Sequence, residues 1–346
     1  MKRPLLFLVC CCLLGWRLAG AAETAVRVFN AKDYGAVGDG RTDDTVAFSA
    51  CLDALLKAGG GRLFIPEGKY LGRIIIPGTK EWLTVEIVGE REPTPVFGTI
   101  GAFPFPSRGT IIQCLATAGP AVISARNTPE KLYGRFSGAN VVLRNLDIRT
   151  YDDPAIGGID LRDAAQCRIE NVFVNTDRYN VHASRPTHGT AGLATPACNN
   201  AALTILRNVV VTGYHTGILV NEHTDGDNIN LASNLNGLEF AFAHHASRFG
   251  RVGAQLCTRG VTVTGRHGFT IEQLDMEVAG KGQLSERNRW QTTDCNLFDP
   301  KNLGAGELRY WVVEGGVGAT DTFTRDGGTG IHARRIGVAP PTTAGK

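Results

Sequence analysis

Long apolar runs are scarce in this sequence. One stands near the start, from Leu5 to Leu14, preceded by Lys2 and Arg3 and followed by the small residues Ala19-Gly20-Ala21. That arrangement reads as a secretory signal, too short for a membrane span, and no later stretch is long and apolar enough for one. The expectation is export to the periplasm or extracellular space, with residues 1–21 removed. Net charge is lacking too. Of 36 basic residues, Lys2, Arg3 and Arg17 lie in the signal, and the remaining 33 face 33 acids. A basic nucleic-acid surface is therefore not expected. Cysteines in ligand-like spacing are absent. Cys10, Cys11 and Cys12 leave with the signal, and Cys51, Cys114, Cys167, Cys198, Cys257 and Cys295 form no CxxC, so zinc has no support. Cys167 and Cys257 lie on strand-like runs and are expected there as buried thiols, with an occasional disulfide permitted by export.

What the chain has is a recurring phrase. Leu143-Arg144-Asn145-Leu146-Asp147-Ile148 returns as Ile169-Glu170-Asn171-Val172-Phe173-Val174 and as Leu206-Arg207-Asn208-Val209-Val210-Val211, and more loosely around Asn234 and Gly260. The spacings, 26, 37, 26 and 26 residues, predict a solenoid of about 26-residue coils with one insertion. A second phrase begins with glycine and then alternates: Gly158-Ile159-Asp160-Leu161, Gly217-Ile218-Leu219-Val220, Gly237-Leu238-Glu239-Phe240 and Gly268-Phe269-Thr270-Ile271. Period-two alternation in runs this short means half-buried strands and fits no helix. Strands meeting their copies in the same direction make an all-β, single-domain parallel β-helix over residues 22–339, followed by a tail over 340–346. The repeated asparagines read as a structural ladder.

The N-terminal part, residues 30–61, reads as a cap. Thr42 or Asp43 is placed to cap a helix with apolar face Ala47, Cys51, Leu55 and Ala58, and Gly59-Gly60-Gly61 stops it. Such a helix covers the open end of a solenoid. A calcium loop over Asp39 to Asp44 fails, because the twelfth position from Asp39 is Ala50 and not glutamate. The stretch Asp33 to Leu55, followed by Gly59 to Tyr70, resembles the N-terminal segment of the pectate-lyase-like superfamily, with its rhamnogalacturonase-like and polygalacturonase-related secreted proteins. The resemblance implies a right-handed parallel β-helix and a polysaccharide or oligosaccharide partner. It leaves the reaction open among hydrolases, lyases and binding proteins. A calcium ion would accompany only the lyase reading, and no cofactor is expected otherwise.

Two insertions are candidates for groove walls: the loop with Phe97, Phe103 and Phe105, read mainly as a stiff cover, and the excess between Asn171 and Asn208 with His182 and His188. Residues 221–277 hold the richest polar constellation. Inward Leu238 and Phe240 put Glu239 outside, and inward Phe269 and Ile271 put Glu272 outside. With Gly237 and Gly268 marking the same strand start, the two carboxylates stand about 8 Å apart. That lies within the roughly 6.5–9.5 Å separation of an inverting glycosidase. Asp160 shares the outward phase but lies about 14 Å away. The expected catalytic group is Glu239, Glu272, Asp275 and His245, and the expected sugar-binding group is Asn221, Glu222, His223, Asp225, Arg248 and His267.

The polygalacturonase motifs occur only in altered form, around Asn175-Thr176-Asp177, His223 to Asp227, Arg266-His267-Gly268 and Arg335-Ile336-Gly337. The leading expectation is an exported glycoside hydrolase using paired carboxylates. The alternatives are a polysaccharide lyase, kept open by Arg248 and Arg251, and a non-catalytic glycan-binding β-helix.

Overall fold

The computed structural model describes residues 26–79, 82–95, 107–114, 121–126, 138–150, 156–176, 190–197, 203–241, 246–255, 257, 259–263, 269–278, 296–298, 306–315 and 331–335. The signal-like segment, the Phe97 to Phe105 loop, the insertion around His182 and His188, and His245, His267 and the tail lie outside them.

Alternating apolar residues assemble into a fourteen-stranded and an eight-stranded sheet, in which successive strands run parallel. The strands of the larger sheet bend at their middle. In Asn140–Arg149 the first half pairs with Thr84–Gly89 and the second with Thr110–Gln113, two separate strands of the preceding part of the chain. The larger sheet therefore makes two walls and the eight-stranded sheet a third. The chain is a parallel β-helix.

The bend is set by asparagine. Asn145, Asn171, Asn208 and Asn228 have φ of 58°, 55°, 53° and 51°, in the left-handed region that asparagine tolerates better than most residues. Their side chains form a ladder: Asn171 Nδ2 donates to Asn145 Oδ1 (3.3 Å), Asn208 to Asn171 (2.9 Å) and Asn228 to Asn208 (2.8 Å). The expected structural ladder is present, with Asn145, Asn171 and Asn208 at one bend. Its fourth rung, however, is Asn228 and not Asn234. Asn234 is buried in another turn, accepting from Tyr214 N and donating to Val211 O. The rungs stand 26, 37 and 20 residues apart, so the constant coil length fails. Strands must keep register to stack, whereas the turns between walls face outward and accept insertion or deletion.

The interior is filled row by row. Leu143, Ile169 and Leu206 line the first wall, Leu146, Val172, Val209 and Ile229 the second, and Ile159, Leu193, Ile218 and Leu238 the third, all essentially buried. Phe240 of the third wall stacks on Phe269 (ring centroids 4.2 Å apart) and meets Phe249 edge-on at 5.7 Å. This aromatic contact joins the two sheets, because Phe249 and Phe269 belong to the larger one.

Helix Thr45–Lys57 buries Ala47, Phe48, Cys51, Leu52 and Leu55 against the first coils. The acid-rich segment before it ties turns together. Asp43 Oδ1 accepts from Thr45 N, and Asp44, which directly precedes the helix, turns its carboxylate back to Val37 N (2.6 Å) and Gly38 N (3.3 Å). The N-cap position is therefore Asp44, without a side-chain capping bond, and not Thr42 or Asp43 as expected. Gly38 has φ 70°, and a Cβ there would meet the Tyr70 ring at 2.6 Å, so the turn needs glycine. Cys51, Cys114, Cys167 and Cys257 are buried thiols outside any disulfide. Among the described residues no helix is long and apolar enough to cross a membrane.

Candidate functional site

The outer surface of the eight-stranded sheet carries two polar rows. Thr216, Asn236 and Arg259 occupy one row on successive strands. Asp160, Ala194, Leu219, Glu239 and Thr262 occupy the other. Three positions separate the rows, which strict alternation does not allow. The glycine of the repeated phrase explains it: a Cβ on Gly217 would meet Gly237 O at 2.7 Å and Leu231 Cδ2 at 3.2 Å, so this residue turns inward beside the inward Ile218. The strand then bends, and the residue before the glycine swings outward to join the Glu239 face.

Glu239 is held from both sides. Its Oε2 accepts from Thr216 Oγ1 at 2.7 Å and from Asn236 Nδ2 at 3.4 Å, while Oε1 accepts from none of the described residues. Asn236 Oδ1 in turn accepts from Arg259 Nη1 (2.9 Å) and Thr262 Oγ1 (3.2 Å), and His215 Nδ1 lies 3.3 Å from Thr216 Oγ1. Thr216, Asn236 and Thr262 are buried, and Glu239 is half-buried. A half-buried carboxylate with one satisfied and one open oxygen, beside a guanidinium, is equipped for proton transfer near negative charge. Three strands further along the row, about 14 Å away, Asp160 forms an ion pair with Arg162 at 2.5 Å, and it raises the guanidinium pKa through their hydrogen bond.

The expected Glu239–Glu272 pair does not form. Glu239 stands in the eight-stranded sheet and Glu272 in Phe269–Val278 of the larger one. The glycine register fails because Gly237 lies in a strand that pairs with Arg259–Val263, not with the strand carrying Glu272. Both acids do face outward, but from different walls. Glu272 is hydrogen-bonded to Arg248, which also approaches Asp225 at 4.0 Å, and Arg207 holds Asp225 at 2.9 Å. Arg248 has its pKa raised by the hydrogen bond to Glu272 first and by its charge second. Asp275 lies on the second wall, accepting from Gln273 Nε2 and lying 3.6 Å from Arg251.

The expected binding residues disperse as well. Asn221 is buried and donates to Thr195 O, and Glu222 is buried with its Oε2 3.7 Å from His223 Nδ1, both at the corner after the third wall. Asp225 and Arg248 belong to the ion-pair row of the first wall. His245 and His267 lie outside the described residues. Sequence reasoning missed His215, Thr216, Asn236, Arg259 and Thr262. The signal was available for three of them: a polar residue directly precedes the strand glycine in Thr216-Gly217, Asn236-Gly237 and Arg259-Gly260.

A family model described as rhamnogalacturonase A/epimerase, pectate lyase-like matches residues 28–282. Among curated proteins, the chain is 57% identical over 42 residues to "Alginate lyase 7" of Azotobacter vinelandii, which is 12% of this chain and 5% of that protein. It is 27% identical over 161 residues to "Depolymerase 1, capsule KN3-specific" of Klebsiella phage KN3-1, 44% of this chain and 18% of that protein. These matches thus span less than a fifth of either relative's length. Among solved structures, the Streptococcus pneumoniae surface protein and adhesin PfbA superposes with a TM-score of 0.56 at 12% identity, covering 89% of this chain and 86% of that one. At that identity the likeness concerns the fold.

Proposed function

The chain belongs to the rhamnogalacturonase A/epimerase, pectate lyase-like family, a carbohydrate-active family of β-helix proteins, and on that premise we propose that it is an exported enzyme that cleaves an acidic polysaccharide by elimination. The substrate lies along the outer face of the eight-stranded sheet. Oε1 of Glu239 takes the proton next to the uronate carboxylate, the carbon–oxygen bond at the neighbouring carbon breaks, a double bond forms between the two carbons, and the departing glycosidic oxygen takes up a proton from water to leave as a hydroxyl. Arg259 offsets the negative charge that builds on the uronate. The observation that carries this reading is the arrangement around Asn236, whose amide holds Glu239 while its carbonyl oxygen accepts from Arg259.

The described residues give a glycosidase pair less support. Among the described residues of the outer row of this sheet, the next carboxylate from Glu239 is Asp160, at about 14 Å, beyond the roughly 6.5–9.5 Å of an inverting pair. The donors around Glu239 are hydroxyl, amide and guanidinium groups. They do not fit a calcium ion, which takes about six to eight oxygens. The name of one sequence relative, an alginate lyase, agrees with an acidic polymer and elimination, and that of another, a capsule depolymerase, with polysaccharide cleavage.

The test is incubation with a panel of acidic and neutral polysaccharides, following reducing ends and the ultraviolet absorbance of an unsaturated uronate together. Both signals rising on an acidic polymer is the expected result. Reducing ends without absorbance would replace elimination by hydrolysis, and neither signal across the panel would leave a glycan-binding protein.

A further inference from the structure

We propose that His215 is a positioning residue that governs the basicity of Glu239 through the hydroxyl of Thr216. This inference rests on the reading of Glu239 as the proton-transferring group. The hydrogen count fixes the direction of the chain. An ionised carboxylate only accepts, so the single Thr216 hydroxyl proton goes to Glu239 Oε2 at 2.7 Å. Towards His215 the same oxygen is then an acceptor, and the ring nitrogen 3.3 Å away, Nδ1, carries the proton.

Two consequences follow. The carboxylate is clamped by Oε2, between Thr216 and Asn236, which leaves Oε1 as the oxygen presented outward. Its basicity also depends on the charge of His215. An imidazolium donates more strongly to Thr216, which polarises the hydroxyl and strengthens its bond to Glu239, and the carboxylate becomes a weaker base. A neutral imidazole relaxes that pull. Activity accordingly rises as pH passes upward and His215 gives up its proton. Among the described residues, the charged groups on the strands beside this chain are Glu239 on Asn236–Phe240 and Arg259 on the strand beyond it. Ala191–Ala194 on the opposite side contributes no ionisable side chain.

Two measurements test the coupling. The first is the pH–rate profile on whichever polymer the panel identifies. His215→Gln and Thr216→Val should each abolish the limb that follows the charge of His215, while Thr216→Ser, which keeps the hydroxyl, should retain it. Loss of rate in Thr216→Val with the limb still in place would reduce Thr216 to a structural role and overturn the proposal. Should Thr216→Val fail to fold, the half-exposed His215→Gln carries the test alone.

The second measurement needs no substrate. The imidazole of His215, assigned by its disappearance in His215→Gln, is titrated by NMR in the wild type and in Glu239→Gln. Removing the carboxylate should lower its midpoint, because a nearby negative charge favours the imidazolium, and an unmoved midpoint sinks the coupling. Failure of the underlying reading looks different: Glu239→Gln would then remain fully active, whatever His215 does.

Discussion

The outer surfaces of the first and third walls use the same strand geometry to opposite ends. On the first wall, acids meet arginines across neighbouring strands: Arg62 with Glu86, Arg144 with Glu170, Arg207 with Asp225, Arg248 with Glu272. On the third wall, Glu239 meets a hydroxyl and an amide, and the Arg259 guanidinium donates to Asn236 beside it. A carboxylate tied to an arginine at the surface is a neutralised, solvated rung. It contributes little to stability. A carboxylate held by neutral donors stays aimed and keeps one oxygen open to a proton. Outward parity is therefore shared by structural and functional acids alike, and the partner chemistry separates them.

That contrast can be broken or sharpened by substitution. The largest expected effect falls on both walls together. Phe240→Ala removes the ring that joins the sheets and should destabilise by about 3–5 kcal/mol, read as a lower denaturant midpoint with an unchanged slope. Next comes Glu239→Gln, expected to lower turnover by roughly 100-fold or more without shifting the unfolding midpoint. Glu272→Gln is its control on the first wall and should leave turnover intact. A reversed outcome would exchange the roles of the two walls.

Asn171→Ala loses both a ladder rung and a residue suited to φ 55°, and should lower stability by about 1–2 kcal/mol. Asn171→Gly, which keeps the backbone at ease, separates the conformational share from the hydrogen-bonded share. The smallest effect belongs to Arg248→Ala: as an exposed partner of Glu272 it should leave both thermal unfolding and turnover where they were, and a measurable loss of activity would move the substrate face to the first wall.

The parallel coils, the inward rows and the asparagine bend were legible in the chain, because alternation and a recurring left-handed asparagine are local requirements that each strand meets by itself. Outward orientation of Glu239 and Glu272 was legible for the same reason. Which outward residues become neighbours was not. Coil length varies between 20 and 37 residues, so counting along the sequence carried the ladder to Asn234 when the stack places Asn228 there. Likewise, a glycine before an alternating run marks strands of either sheet, which brought Glu239 and Glu272 together on paper though they stand on different walls. The sequence by itself determined the wall that each strand can build, through side-chain period and backbone preference. Stacking register, set by long-range packing across turns of unequal length, decided that Glu239 stands with Thr216, Asn236 and Arg259.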